Sequence, residues 1–250
     1  MSNVLKKTKA YVLGLVLGFI ILLMSGFSFM SFYPTQQDTK ILSYEVNLKA
    51  QTLRFYWKDD QSKIFKNFKT LKAWLESKNK TLVFATNGGM YKTDNSPLGL
   101  YIEDKKSVTA LNTFSGKGNF YVKPNGVFYI TGKKEGFISQ TSRFKNTSET
   151  TYATQSGPML VIDGNIHPAF KKGSDNLNIR NGVGILESGN VVFAMSKEPI
   201  NFHDFATYFK TLGCKNALYL DGYVSRTYLP EKNWIQTDGN FGVILAVTRN

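Results

Sequence analysis

Cysteine is nearly absent. Cys214 stands alone among 250 residues, so no intrachain disulfide can form and no cysteine cluster exists to hold zinc. Directly after Gly213, it reads as a small core residue rather than a nucleophile. Histidine is almost as scarce: His167 and His203 have no G-x-S-x-G elbow to serve, which removes the usual signature of a serine hydrolase triad. His203 and Asp204 are adjacent in a segment that reads as helix, where neighbouring side chains diverge by about 100° and do not converge on a metal. No metal ligand set is assigned and no cofactor is named. Internal repeats are absent as well.

Acidic residues are few, 18 against 31 lysines and arginines. Long uncharged runs are also few, and the one at Tyr11 to Tyr33 would reach roughly 34 Å as a helix, enough to cross a bilayer. Lys6, Lys7 and Lys9 precede it with no acid among them, so the positive-inside rule keeps the N-terminus in the cytoplasm. The expected layout is a basic cytoplasmic start (1–10), a single-pass transmembrane signal anchor (11–33), a polar linker (34–40) and an extracytoplasmic domain (41–250) in the cell envelope. Cleavage near "SGFS" would give a secreted form instead. Only three basic residues and no acid precede residue 34, so the external part keeps a net charge of +10. That balance suits a polyanionic neighbourhood such as wall polymer or anionic lipid, and nucleic acid is not an expected partner there.

What is present is enough apolar and aromatic material, 42% and 14%, for a full-sized core. Period-two alternation predicts strands at "ILSYEVNL", "TLRFYW", "TLVFATN", "LGLYIED", "NFYVKPNGVFYITGK" and "EGFISQ", with Asn125-Gly126 as a turn dipeptide. Later strands fall in "TQSGPMLVIDG", "RNGVGILESGNVVFAMS", "NALYLD" and "FGVILAVT". Helical spacing appears from Ser62 to Lys78 and over 202–212, where Asn201 is the expected N-cap and Gly213 the left-handed closing residue. Residues 140–151 read as a polar surface loop. The fold class is therefore α+β: one domain with a mixed or antiparallel sheet and few helices, preceded by one N-terminal transmembrane helix.

Four stretches share a form in which an apolar strand runs into small residues beside a polar side chain. They are "FATNGGMY" (Asn87, Gly88, Gly89, Tyr91), "TQSGPMLVIDG" (Ser156, Gly157, Asp163), "NIRNGVGIL" (Arg180, Gly182, Gly184) and "LYLDGYVSR" (Asp221, Gly222, Ser225, Arg226). Glycines in such places let a ligand approach the backbone and leave amide N–H groups facing an anion. Arg180 precedes a buried strand and must find a carboxylate, a carbonyl or a ligand phosphate. Asp163, in "VIDGNIH", reads as a hairpin turn. Asp204 in a first helical turn is explained by the helix dipole.

In order and spacing, the four stretches resemble the phosphodiester glycosidase family from about Leu82 to Val247. "SGPMLVIDG" is similar to its G-G-P-x-L-x-x-x-G, "IRNGVGI" to its R-T-A-I-G, and "LGCKNALYLDGYVSR" to its G-x-x-x-A-x-N-L-D-G-G-G-S; "NGGMY" matches an Asn with small residues and an aromatic. The triple glycine after the Asp is here Gly222, Tyr223 and Val224. The resemblance implies catalytic roles for Asn87, Arg180 and Asp221 and carries over Ser225, whereas Arg226 is a departure that adds a cation; the expected substrate-binding residues of the four stretches are Gly88, Gly89, Tyr91, Ser156, Gly157, Gly222, Ser225 and Arg226. The departing phosphate of a sugar 1-phosphodiester is already a stabilised anion. Such a site needs a carboxylate near the anomeric carbon and donors on the phosphate, roles that fit Asp221 and Arg180 with Asn87. Glu103, Asp163 and Asp204 are the candidates for a second carboxylate. The expected function is hydrolysis of a glycosyl 1-phosphodiester in an envelope glycopolymer or phosphorylated sugar; the alternative is a non-catalytic envelope protein that binds anionic wall polymer.

Overall fold

The computed structural model describes residues 40–221 and 224–250, so the expected cytoplasmic start, the membrane span and all of the linker but its last residue lie outside the described residues. Among the described residues no helix is long and apolar enough to cross a membrane. In chain order the first elements are β1 Ile41–Val46, β2 Thr52–Tyr56, α1 Phe68–Ser77, β3 Thr81–Asn87, β4 Tyr101–Glu103, β5 Lys106–Thr109, β6 Gly126–Thr131 and β7 Gly136–Gln140. Next come β8 Thr150–Ser156, β9 Met159–Ile162, β10 Asn165–Ile166, β11 Asn181–Ile185 and β12 Val191–Ser196. The last are α2 Phe202–Thr211, β13 Ala217–Asp221, β14 Thr227–Leu229, β15 Trp234–Ile235 and β16 Ile244–Arg249.

The strands form three sheets, ordered β1-β12-β11-β13-β9-β10, β15-β14-β3-β16-β2 and β5-β4-β8-β6-β7. Their ladders are antiparallel, so the α+β expectation holds in its antiparallel form. β13 shows why "ALYLD" alternates without a polar face: it lies between β11 and β9, and all five residues are buried. Leu218 and Leu220 enter the cluster holding Phe55, Phe84, Phe128 and Phe193, whereas Tyr219 belongs to the opposite cluster with Phe205 and Phe209. Each fully buried aromatic or aliphatic side chain of this kind contributes about 1.5–3 kcal/mol.

α2 follows its sequence signals. The Asn201 side chain accepts from Asp204 N at 2.8 Å and donates to the Asp204 carboxylate at 2.9 Å, and Gly213 closes the helix at φ 80°. Its Phe209 rests on glycines: a Cβ on Gly182 or Gly184 would lie 3.2 or 2.8 Å from that ring. These two glycines thus serve helix-on-sheet packing rather than ligand approach.

Two local expectations are corrected. The first helix starts at Phe68, not Ser62, because Ser62 and Lys66 adopt left-handed φ of 64° each and Asn67 caps it through Thr70 N. Ile64 and Phe65 keep helical spacing while lying in a loop; Phe65 is buried against Tyr56 and Trp74. Asn125-Gly126 is not a turn: Gly126 opens β6, and the β6–β7 hairpin reverses at 132–135, where Lys134 has φ 57°. Asp163 (φ 48°) and Gly164 (φ 81°) do form the turn expected between β9 and β10.

Register aligns one end of the six-stranded sheet. Ile41 faces Ser196, Met195 faces Asn181, and Asn181 faces Asp221. The chain therefore enters the domain at the end of the sheet that carries Asp221, three strand spacings away or roughly 15 Å.

Candidate active site

Three strand ends meet around Asn181, the first residue of β11. Its side chain is 0% exposed; Nδ2 donates to Asn87 O and Thr86 Oγ1 at 2.9 Å and to Asn87 Oδ1 at 3.1 Å, while Oδ1 accepts from Asp221 N at 2.9 Å. One amide thereby locks the end of β3 to the end of β13. Asn87 is fixed in turn: its Oδ1 also accepts from Arg226 N at 2.9 Å, so its Nδ2 must point the other way. There it faces Asp221 Oδ2 at 3.5 Å. Asn87 and Asp221 are 1% and 6% exposed, so the carboxylate is held in a largely water-excluded setting.

The segment after Asp221 is anchored at its far side. Ser225 Oγ donates to Asp221 O at 2.6 Å and lies 3.1 Å from Ile179 O, and Thr86 Oγ1 donates to Arg226 O at 3.2 Å. Gly222 lies outside the described residues. The Arg226 guanidinium is engaged by Asp238, with Nε and Nη2 each 3.0 Å from its oxygens, and this partner holds the Asp238 carboxyl below its usual range. On the other side, Ser156 Oγ donates to Leu220 O at 2.6 Å and is fully buried, tying β8 to β13.

Of the glycines predicted to bind substrate, the described ones, Gly88, Gly89 and Gly157, are packed against chain. Gly88 N–H is taken by Val243 O at 2.8 Å. A Cβ on Gly89 would sit 2.5 Å from Thr154 Oγ1, and one on Gly157 would sit 2.5 Å from Asn125 Cβ. Gly89 lets the turn after β3 lie on β8, and Gly157 lets the turn after β8 lie on the segment leading into β6. Tyr91 forms an isolated bridge with Pro97, its Cβ close over Gly242.

Arg180 lies beside Asn181 but points to the α2 side of the sheet. Its Nε donates to Ile200 O at 2.8 Å, Nη2 to Asn176 O at 2.7 Å, and Nη1 to Tyr219 Oη at 3.4 Å. The guanidinium lies 3.6 Å above the centre of Phe202, which stacks on Phe170 at 4.8 Å, which stacks on His167 at 4.8 Å. His167 is buried and accepts from Ala169 N through Nδ1.

The second-carboxylate candidates are engaged elsewhere. Glu103 accepts from Tyr101 Oη on β4 at 2.9 Å, and burial pushes its carboxyl up. Asp163 is exposed in its turn beside Arg143, and Asp204 lies in the first turn of α2, accepting from Asn201 Nδ2 with His203 alongside. Cys214 is buried against the Gly184 position with its thiol pushed up to about 12, a core residue as expected. A cleft of about 490 Å³ lined by Phe137, Ile185, Glu187 and Lys215 opens at the opposite end of β11 from Asn181.

Asn87 and Asp221 are thus brought together, with Ser225 and the Arg226 backbone beside them, while the Arg180 guanidinium is held by Ile200 O, Asn176 and Tyr219 Oη on the α2 side. Sequence reasoning missed Asn181, Thr86 and Tyr219. The available signal was position: Asn181 follows Arg180 directly, and Tyr219 stands two residues before Asp221 on one strand.

The family model described as phosphodiester glycosidase matches residues 80–245. A relative from Escherichia coli, the uncharacterized protein YigE, is 40% identical over 190 residues, covering 76% of this chain and 74% of its own. Among solved structures, the catalytic domain of zebrafish N-acetylglucosamine-1-phosphodiester alpha-N-acetylglucosaminidase, auto-inhibited by its pro-peptide, superposes with a TM-score of 0.59 at 14% identity, covering 86% of this chain and 85% of that one. A putative exported protein from Burkholderia pseudomallei superposes with a TM-score of 0.57 at 9% identity, covering 83% and 73%. At these identities the two structures speak for the fold alone.

Proposed function

The chain belongs to the phosphodiester glycosidase family, and from that premise we propose that it hydrolyses a glycosyl 1-phosphodiester bond, with Asp221 as the carboxylate at the anomeric carbon. The observation that carries this reading is the buried contact of Asn87 Nδ2 with Asp221 Oδ2, fixed from three strand ends by Asn181. A carboxylate held this way can activate water or stabilise positive charge at the sugar. The phosphate leaves as a stabilised anion, so one carboxylate suffices and the separate settings of Glu103, Asp163 and Asp204 raise no difficulty. The phosphate side is assigned to Ser225 and Arg226, with Gly222 of the same motif, where the Ser225 hydroxyl is held on Asp221 O. The substrate class follows the zebrafish relative's name, a sugar 1-phosphodiester. With residues 11–33 as an anchor and a net charge of +10 beyond them, the natural substrate is an anionic sugar phosphate or glycopolymer at the cell envelope.

The test is turnover by the full-length chain in detergent on N-acetylglucosamine 1-aryl phosphodiesters and on phosphate-linked glycopolymer. Asp221→Asn should lower kcat by at least about 100-fold, the usual scale for loss of a catalytic acid or base. Equal rates in the two proteins would remove Asp221 from the chemistry. The rival, non-catalytic reading draws on Tyr223 and Val224 standing in place of glycines; polymer binding by the wild type and by Asp221→Asn alike, with no turnover of any diester, would favour it.

A further inference from the structure

Arg180 is enclosed, and its strongest contacts go to two stretches of backbone. The residue is 0% exposed; Nε donates to Ile200 O at 2.8 Å, and Nη2 meets Asn176 O at 2.7 Å and Asn176 Oδ1 at 3.2 Å. One flat face of the guanidinium covers Phe202. Its own main chain is pinned as well, with N–H donating to Ser196 Oγ at 2.9 Å and the carbonyl accepting from Ser196 N at 2.8 Å. A planar fork of donors can hold two separate carbonyls at fixed angles, which a lysine ammonium cannot do. With no surface exposed, the same group presents nothing to a substrate phosphate.

The two carbonyls belong to a loop and to the backbone it rests on. Residues 171–179 lie between β10 and β11, and Lys171, Lys172, Asn176 and Leu177 are exposed, so little apolar burial holds this segment. At its start Phe170 is stacked between His167 and Phe202, each at 4.8 Å. At its end Asn178 and Ile200 exchange backbone hydrogen bonds of 3.2 and 2.9 Å, and Asn178 Nδ2 donates at 2.9 Å to the same Asn176 Oδ1 that Arg180 meets. The next residue reaches the candidate site. The Ser225 hydroxyl donates to Asp221 O at 2.6 Å with Ile179 O 3.1 Å from the same oxygen, so one proton lies between two carbonyls. Contacts and chain therefore run without a gap from the guanidinium through 176–179 to Ser225.

We propose that Arg180 is a positioning residue: its fork pins residues 176–179 onto Ile200, so that Ile179 O fixes the Ser225 hydroxyl at the end of β13, and Arg180 does not itself bind the sugar phosphate. The effect on turnover rests on the hydrolase reading, whereas the pinning is read from amide hydrogen exchange, which needs no substrate. Two variants of the full-length chain in detergent separate the roles. Arg180→Lys keeps the charge and loses the fork, and Asn176→Ala removes one acceptor of the fork from an exposed residue. Exchange at the Asn178 and Ile200 amides should quicken at least about tenfold in Arg180→Lys and about threefold in Asn176→Ala, with Val183 in β11 unmoved. On a small 1-phosphodiester, kcat should fall about tenfold in Arg180→Lys while inhibition by inorganic phosphate keeps its strength. Ser225→Ala should lower kcat in the wild type but add little in the Arg180→Lys background, since both changes act through one hydroxyl. If Arg180→Lys does not fold, Asn176→Ala takes its place in the exchange measurement and in the cycle. Unaltered exchange at Asn178 and Ile200 overturns the pinning. Weakened phosphate inhibition in Arg180→Lys, or full additivity with Ser225→Ala, overturns the positioning role and puts Arg180 on the substrate. Failure of the hydrolase reading shows separately, as a wild type that turns over no diester while the exchange still responds.

Discussion

An amide side chain with no exposure and four contacts of 3.1 Å or less has no substitute of equal geometry. Asn181→Ala removes the donor from Asn87 O and Thr86 Oγ1 and the acceptor from Asp221 N, leaving buried groups unpaired at an expected cost of roughly 2–4 kcal/mol, read as a lowered urea midpoint. Asn181→Asp tests which end of the amide matters. The acid keeps an acceptor for Asp221 N but turns oxygen toward Asn87 O, so its folded-state pKa is raised. A raised carboxyl contributes stability below its unfolded value of about 4 that is lost as pH rises. The deficit of Asn181→Asp relative to wild type should therefore be larger at about pH 8 than at about pH 4; a constant deficit would mean that the donor to Asn87 carries little weight. At this scale the sequence was partly legible. Asn87 and Asp221 stand out because each ends an apolar strand at small residues, and the structure joins them. Arg180 stands out for its charge, yet charge in a sequence does not reveal which sheet face it enters. Asn181 carries no such flag, since an asparagine before glycine reads as a turn and its value lies in partners up to 95 residues away.

α2 and β11 are held in contact by the absence of side chain at two positions. On Gly184 a Cβ would meet Cys214 Sγ at 2.6 Å and the Phe209 ring at 2.8 Å, so Gly184→Ala must push α2 outward and should cost about 1–3 kcal/mol. Half of that conflict lies with one sulfur atom. Cys214→Ala alone loses buried contacts, but combined with Gly184→Ala it should restore part of the stability, giving a favourable coupling in a denaturation cycle. Strict additivity of the two changes would show that Phe209 alone sets the limit. α2 itself was readable end to end because the N-cap Asn201, the apolar stripe and Gly213 agree. α1 was overextended because a buried loop residue, Phe65, happens to fall in its period. Strands such as "ALYLD" and "TLVFATN" are visible from composition, whereas β5, β10, β14 and β15 are too short to establish a period, and alternation never says which of three sheets a strand will join.

Charge acts across the whole domain rather than at one contact. The exposed lysines between β2 and β3, Lys58, Lys63, Lys66 and Lys69, add to a net +10 spread over residues 34–250, while Arg226, beside the site, is matched by Asp238. Local recognition at Asp221 and long-range attraction of a polyanion should therefore separate by salt. A field of this kind extends about 8 Å at physiological ionic strength and shrinks as salt is added, so it affects a polymer that covers the surface far more than a single sugar phosphate in the site. Between about 50 and 300 mM NaCl, kcat/KM on a phosphate-linked glycopolymer should fall by roughly tenfold or more, while that on a small 1-phosphodiester should change by less than about threefold. Equal sensitivity of the two substrates would place the relevant charge inside the site instead, and salt-independent turnover of both would separate the basic surface from substrate capture altogether.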